Sequence, residues 1–248
     1  MNTMTTKFLL GACFTLFATT AFSQGNEKPE PGKQVEQTFQ TSDGESVSYL
    51  LYLPSNFTKD ANLPLVYFLH GRGESYGPLS LVAKWGPPKF AERGDKLNYI
   101  LVSPQCPKDD SWSKDTQQTR LKELLDYVVK EYGADKKRLY LTGLSMGGYG
   151  SWRMAAAHPK LFAAVAPVCG GGDPKDADKL KDTPIWVFHG DRDGAVPFQK
   201  SVDMVEAIKA AGGKKVRFTT FEHFGHNCWS ATYNTPELFG WMFKHKVE

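Results

Sequence analysis

The sequence predicts an α/β fold: a mostly parallel sheet covered by helices on both faces, with no large lid domain. Three observations predict it. Short apolar runs alternate with amphipathic ones along most of the chain. Several of those runs are continuously apolar, as strands buried on both faces must be. A glycine-flanked serine, Gly143-Leu144-Ser145-Met146-Gly147, falls where one strand hands over to a helix.

Taken in order, Val47, Tyr49, Leu51 and Leu53 alternate through the first strand, and Asp43-Gly44 supplies the hairpin turn before it. Leu65-Val66-Tyr67-Phe68-Leu69 and Tyr99-Ile100-Leu101-Val102 are the next strands. A helix follows at about residues 116–131, with Leu121, Leu124, Leu125 and Val128 on one face and Gly133 as its stop. Leu139 to Leu141 is a strand, 147–157 a small-residue helix, and Phe162 to Val168 a strand broken by Gly170-Gly171-Gly172. Ile185 to Phe188 is a strand, 201–211 an amphipathic helix, Val216 to Phe221 the last strand, and 236–246 the last helix.

Composition sets the outer limits. With 248 residues, 41% of them hydrophobic and 23% charged, the chain can bury the core of one α/β domain. A net charge of +3, without a long block of like charge, is too weak a footprint for a nucleic-acid partner.

The N-terminus reads as a targeting segment. Met1 to Lys7 is polar, Phe8 to Ala18 is apolar, and Ala21-Phe22-Ser23 fits the small-x-small rule before Gln24. The expectation is a signal peptide over 1–23, a flexible Pro/Lys/Glu/Gly-rich leader over 24–34 and the catalytic domain over 35–248. The expected location is periplasmic or secreted. Leu10-Gly11-Ala12-Cys13 offers a lipoprotein alternative through Cys13, but few apolar residues precede it and the apolar run continues past it. That run is too short to span a bilayer and no second long one follows, so no transmembrane segment is expected. Removing 1–23 leaves Cys106, Cys169 and Cys228. Export permits a disulfide, three thiols leave one over, and without a CxxC pair no structural zinc is expected.

The chemistry starts at Ser145. A strand precedes its motif and a helix follows, so the serine belongs on a tight, strained turn. Side chains at Gly143 and Gly147 would clash there, and the helix N-terminus aims N–H groups at a developing oxyanion. A serine hydroxyl also needs a base, and the base needs a partner that fixes its tautomer. The acid belongs after the Ile185 strand, where Asp193 is favoured and Asp191 reads as a turn cap. The base belongs after the last strand. His226 lies deep enough in its loop to reach back, whereas His223 is nearer the strand and His189 has a structural place in its own loop. His223-x-x-His226 lacks an accompanying carboxylate motif, so neither metal nor cofactor is expected.

Two oxyanion donors are expected, the N–H groups of Met146 and Arg72, with Gly73 the alternative to Arg72 in His70-Gly71-Arg72-Gly73-Glu74. Gln105, Trp112 and Trp229, in loops after strands, are candidate substrate contacts, each with simple packing as its rival. Cys169 lines the pocket or is a buried free thiol.

With these residues in hand, the chain resembles the α/β-hydrolase superfamily. Within it, the resemblance is to secreted esterases grouped with polyhydroxybutyrate depolymerases, feruloyl esterases, dienelactone hydrolases and the phospholipase/carboxylesterase family. It runs from about Ser46 to Lys244. It rests on Leu69 to Glu74, Ser103-Pro104-Gln105-Cys106-Pro107 with Trp112, Gly143 to Gly148, His189-Gly190-Asp191-Arg192-Asp193 with Val196-Pro197, and Gly225-His226-Asn227-Cys228-Trp229. The resemblance implies that the Asp three residues before Val-Pro is the acid and that the late Gly-His pair carries the base. The expected activity is hydrolysis of a small-molecule or polymer-linked carboxylic ester, with plant-polysaccharide acyl or hydroxycinnamoyl esters as a substrate class. The alternatives are a prolyl-oligopeptidase-like serine peptidase and a non-catalytic polymer-binding module on a hydrolase scaffold.

Overall fold

The computed structural model describes Met1 and residues 28–248; the expected cleavage site at Ser23 and the alternative Cys13 lie outside the described residues. Two strands open the fold as a hairpin, β1 (Gln34–Gln40) and β2 (Ser46–Tyr52), paired antiparallel from Gln34↔Tyr52 to Gln40↔Ser46. Gly44 takes the turn at φ 85°. The segment read as a leader is thus already tied down at its end: Gly32 donates its N–H to Leu53 O at 2.7 Å, and Gln34 is paired.

The remaining elements alternate. In chain order they are β3 (Leu65–Leu69), α1 (Gly86–Glu92), β4 (Ile100–Pro104), α2 (Asp115–Tyr132), β5 (Leu139–Leu144), α3 (Met146–Ala157), β6 (Ala164–Val168), α4 (Ala177–Leu180), β7 (Ile185–Gly190), α5 (Gln199–Ala210), β8 (Val216–Phe221), α6 (Trp229–Tyr233) and α7 (Glu237–Phe243). Short 3₁₀ turns at Arg72–Ser75 and Leu79–Lys84 fold the connection between β3 and α1. The sheet order is β1-β2-β4-β3-β5-β6-β7-β8; β2 is antiparallel to β1 and β4, and β3 to β8 run parallel. This is the α/β-hydrolase arrangement expected, with no large lid among the described residues. None of their helices is long and apolar enough to cross a membrane.

Strand alternation sorts the core into two layers. Leu65, Tyr67 and Leu69 face the α2, α3 and α5 side, with Leu121, Leu124, Trp152 and Ile208. Val66 and Phe68 face the opposite side, with Tyr140, Trp186, Leu238 and Met242. Each central strand is therefore apolar along its whole length because it is covered twice.

Register positions the site. Leu69 pairs with Gly143, Leu144 with Val168, Val168 with Phe188, and Gly190 with Phe221. The carboxyl ends of β3, β5, β6, β7 and β8 thus stop at one level. From β3 the chain next enters the sheet on one side at β4 and then on the other at β5, so the crevice between β3 and β5 is a topological switch point.

Candidate active site

Ser145 sits between β5 and α3 at φ 53° and ψ −115°, a backbone conformation that costs a side-chain-bearing residue about 1–3 kcal/mol. The surroundings hold it there. Its N–H donates to Val168 O at 2.9 Å, and its carbonyl accepts the N–H of Tyr149 at 3.0 Å. The turn is tight enough that a Cβ at Gly147 would stand 1.9 Å from Leu69 O. Glycine there lets α3 begin directly against the end of β3.

The hydroxyl meets a base. Ser145 Oγ lies 2.8 Å from His226 Nε2, and His226 Nδ1 lies 2.7 Å from Asp193 Oδ2. The Asp193 side chain is fully buried and that of His226 is 25% exposed, so the acid is dry while the base remains open to a ligand. Asp193 Oδ1 accepts the N–H groups of Ala195 and Val196, both at 2.8 Å. Burial pushes the Asp193 carboxyl up, but the bonds from His226 and from these two N–H groups outweigh it and hold it below its ordinary value. An ionised Asp193 accepts only, so the proton sits on His226 Nδ1 and the Nε2 lone pair faces the Ser145 hydroxyl.

The competing residues are placed elsewhere. Asp191 caps the His226 loop by accepting the His223 N–H at 2.7 Å. His223 itself is exposed, at φ 64°. His189 is fully buried; its Nδ1 is 2.7 Å from Ser201 Oγ and its Nε2 is 3.0 Å from Asp193 Oδ2 and 3.1 Å from Val196 O. Burial keeps it below the usual histidine range, so it is neutral and donates from Nε2. It therefore has the structural place expected of it, and also a direct bond to Asp193. The His189-x-x-x-Asp193 spacing is the sequence signal for that bond.

Met146 opens α3, and the first N–H groups of a helix have no intrahelical partner. The loop after β3 crosses beside it. A Cβ at Gly71 would stand 2.7 Å from Leu144 Cδ1, and His70 O lies 2.8 Å from the Cβ position of Gly147. Arg72, the next residue, starts the 3₁₀ turn that Glu74 N–H closes onto Gly71 O at 3.3 Å. Its N–H makes no backbone bond among the described residues.

One substrate-contact expectation, Trp112, is corrected. Trp112 is completely buried, with its indole N–H donated to His70 O at 3.1 Å and its ring edge-on to His70 at 5.2 Å. It faces inward because the buried β3 loop needs a donor for that carbonyl. Gln105 braces the same loop: its Nε2 donates to Glu74 O at 2.8 Å, Gly77 O at 3.2 Å and Pro78 O at 3.3 Å. Trp229, half-buried, stands edge-on to the His226 ring at 5.3 Å.

Cys106, Cys169 and Cys228 are free and buried. One group with metal-ligand spacing occurs among the described residues: Cys169, Asp193 and His226, their donor atoms within 4.8 Å of one another. Burial holds the Cys169 thiol well above its ordinary pKa, and Asp193 and His226 are engaged with each other, so the set suits hydrogen bonding better than coordination.

The Esterase family model matches residues 41–228. Acetylxylan esterase A of Emericella nidulans is 24% identical over 64% of this chain and 53% of its own length. The bifunctional acetylxylan esterase/xylanase XynS20E of Neocallimastix patriciarum is 30% identical over 60% of this chain and 22% of its own length. This chain thus spans about half, or less, of those relatives. Among solved structures, a thermostable esterase superposes with a TM-score of 0.74 at 32% identity, covering 86% of this chain and 63% of that one. A ferulic acid esterase shares the fold, with a TM-score of 0.64 at 19% identity over 86% of this chain and 98% of its own. The family match takes in the serine elbow, the Asp193 loop and His226, and the chain belongs to the Esterase family.

Proposed function

We propose that the protein is a serine hydrolase that cleaves carboxylic esters through an acyl-enzyme on Ser145. The observation that carries this reading is the unbroken chain Ser145 Oγ–His226 Nε2 and His226 Nδ1–Asp193 Oδ2, at 2.8 Å and 2.7 Å. Ser145 Oγ attacks the ester carbonyl as His226 Nε2 takes its proton. The carbonyl oxygen becomes an oxyanion held by the N–H groups of Met146 and Arg72. The intermediate collapses, the C–O bond to the alcohol breaks, and His226 returns the proton to the departing oxygen. Water, deprotonated by the same nitrogen, then attacks the acyl carbon and releases the carboxylic acid and Ser145.

The names of the relatives support an ester carried on a plant polysaccharide as the substrate class, with acetyl or hydroxycinnamoyl as the acyl group. The N-terminal sequence pattern supports export, with 35–248 as the catalytic domain. An ester panel beside Ser145→Ala tests the reading: short-acyl nitrophenyl esters, methyl ferulate, acetylated xylan and polyhydroxybutyrate. The expected result is turnover of at least one ester and labelling by a fluorophosphonate probe, both lost in Ser145→Ala. A wild-type protein that neither labels nor turns over any ester faster than the variant overturns it. Amides matched to the best ester separate the peptidase alternative, because an amine is a poorer leaving group.

A further inference from the structure

An aromatic strip leads away from His226 that the ester chemistry does not require. Trp229 stands edge-on to the His226 ring, and Trp85 lies against Trp229 with ring centroids 5.9 Å apart. A cleft of roughly 90 Å³ opens between these two tryptophans, α1 and α6, with Ser230 and Asn234 on its wall, the Asn234 amide donating to Ser230 O at 2.7 Å. Phe90, Arg93, Tyr233 and Asn234 also line a second groove, of about 370 Å³, which continues past Tyr99 and Phe239. The two grooves share these four walls, and the first is bounded by Trp229, the ring that touches His226.

This first trough is charged on one side. The ammonium groups of Lys84 and Lys89 stand 5.5 Å and 5.2 Å from the Trp85 ring centroid. Both side chains are exposed; Lys84 also acts on the Glu74 carboxylate, and Lys89 makes no ion pair with a described residue. Arg93, farther along, is already paired with Asp95 at 2.5 Å. Half-buried aromatic walls offer flat apolar faces for the C–H faces of sugar rings, with polar groups beside them for hydroxyls. Two exposed ammonium groups beside such a wall, of which only Lys84 also faces a carboxylate, that of Glu74, favour an anionic group at that position.

We infer that the Trp229–Trp85 trough is a binding subsite for a polysaccharide chain bearing uronic acid substituents, with Trp85 under a sugar ring and Lys84 and Lys89 on the carboxylate. This rests on the esterase reading for its link to catalysis and on the trough alone for its link to binding. The chain would run across the base toward α1, with its ester over Ser145.

Three esters test it: a nitrophenyl acetate, an acetylated neutral xylo-oligosaccharide, and the same oligosaccharide carrying glucuronic acid. The wild type is expected to favour the acidic oligosaccharide by about tenfold in kcat/KM, mainly through KM, with the preference shrinking as salt rises. The double variant Lys84→Gln/Lys89→Gln, confined to exposed side chains, should erase the preference. Trp85→Ala should lower the ratio of oligosaccharide to nitrophenyl kcat/KM by about tenfold. Equal kcat/KM for acidic and neutral oligosaccharides in the wild type overturns the proposal, as does a preference that survives the double variant. Calorimetric titration of Ser145→Ala with the deacetylated oligosaccharides separates the two readings. If no ester is turned over but the acidic oligosaccharide binds more tightly than the neutral one, the subsite stands and the esterase reading falls. Equal binding, or none, sinks the subsite whatever the esters show.

Discussion

Asp193 concentrates more of the site's electrostatics than any other side chain. Each carboxylate oxygen has two donors: Ala195 and Val196 N–H on Oδ1, and His226 and His189 on Oδ2. Asparagine at this position keeps the volume but presents an N–H₂ that cannot accept from His226 Nδ1. The imidazole would then flip its tautomer and turn an N–H toward Ser145. Asp193→Asn is expected to lower kcat on a short ester by about 10³–10⁴-fold, with the fold intact by circular dichroism. A fall of less than tenfold would remove Asp193 from the role proposed here. Trp112 is the contrasting case. Trp112→Phe removes the donor to His70 O and leaves a void under the β3 loop, so unfolding by urea should show about 2–3 kcal/mol of lost stability. A stability within about 0.5 kcal/mol of wild type would contradict its inward role.

The β5–α3 element works because two backbones touch. A methyl group on Gly147 meets Leu69 O at 1.9 Å, and nothing there is a flexible side-chain end that could swing away. Either β3 or α3 must shift, and Ser145 moves with it. Gly147→Ala is expected to be destabilised by about 2–4 kcal/mol and to lose nearly all activity, read by thermal melting and by nitrophenyl ester turnover. An active variant of wild-type stability would show that the elbow tolerates a wider turn. The same element shows why the serine was legible in the sequence: its glycines are demanded by local backbone geometry, so the residue types announce the conformation. The double-covered strands were legible for a similar reason, and Leu65–Leu69 begins and ends where its apolar run does. α1 was not legible. Its Gly-Pro-Pro opening reads as a break, although proline is well accommodated in a helix's first turn. The orientation of Gln105 and Trp112 was also hidden, because distant carbonyls decide it and loop composition carries no record of them. Asp193 and His226 escaped that limit because their positions beside Ser145 follow from strand order.

Across the whole molecule, the buried histidines set the acid limit of stability. Burial pushes His70 down from 6.5 to about 4, and its Nε2 accepts the Cys106 N–H at 2.9 Å, a bond that a second ring proton would break. His189 is lowered too, first by burial. Between pH 6.5 and 4 the unfolded chain takes up protons that the folded chain refuses, so stability present at neutral pH is lost as the pH falls. His70 alone accounts for up to about 3 kcal/mol of that loss by pH 4. Asp193, held low, adds a further loss only as the pH drops through its folded value. Melting temperature should therefore be nearly flat from pH 8 to 7 and fall steadily from 6.5 toward 4. A melting temperature that stays level or rises over that interval would show these rings to be protonated in the folded state.

β8 is an edge strand, paired on one side only by β7, and His226 hangs from its far end. Ser145 and His226 are 81 residues apart, and three strands, β6, β7 and β8, lie between them in the chain. Until the last one closes the sheet, Ser145 is an ordinary alcohol. A molecule without β8 in place therefore has the serine but not the reactivity. Whatever hydrolytic power this protein has depends on an edge strand held by a single neighbour.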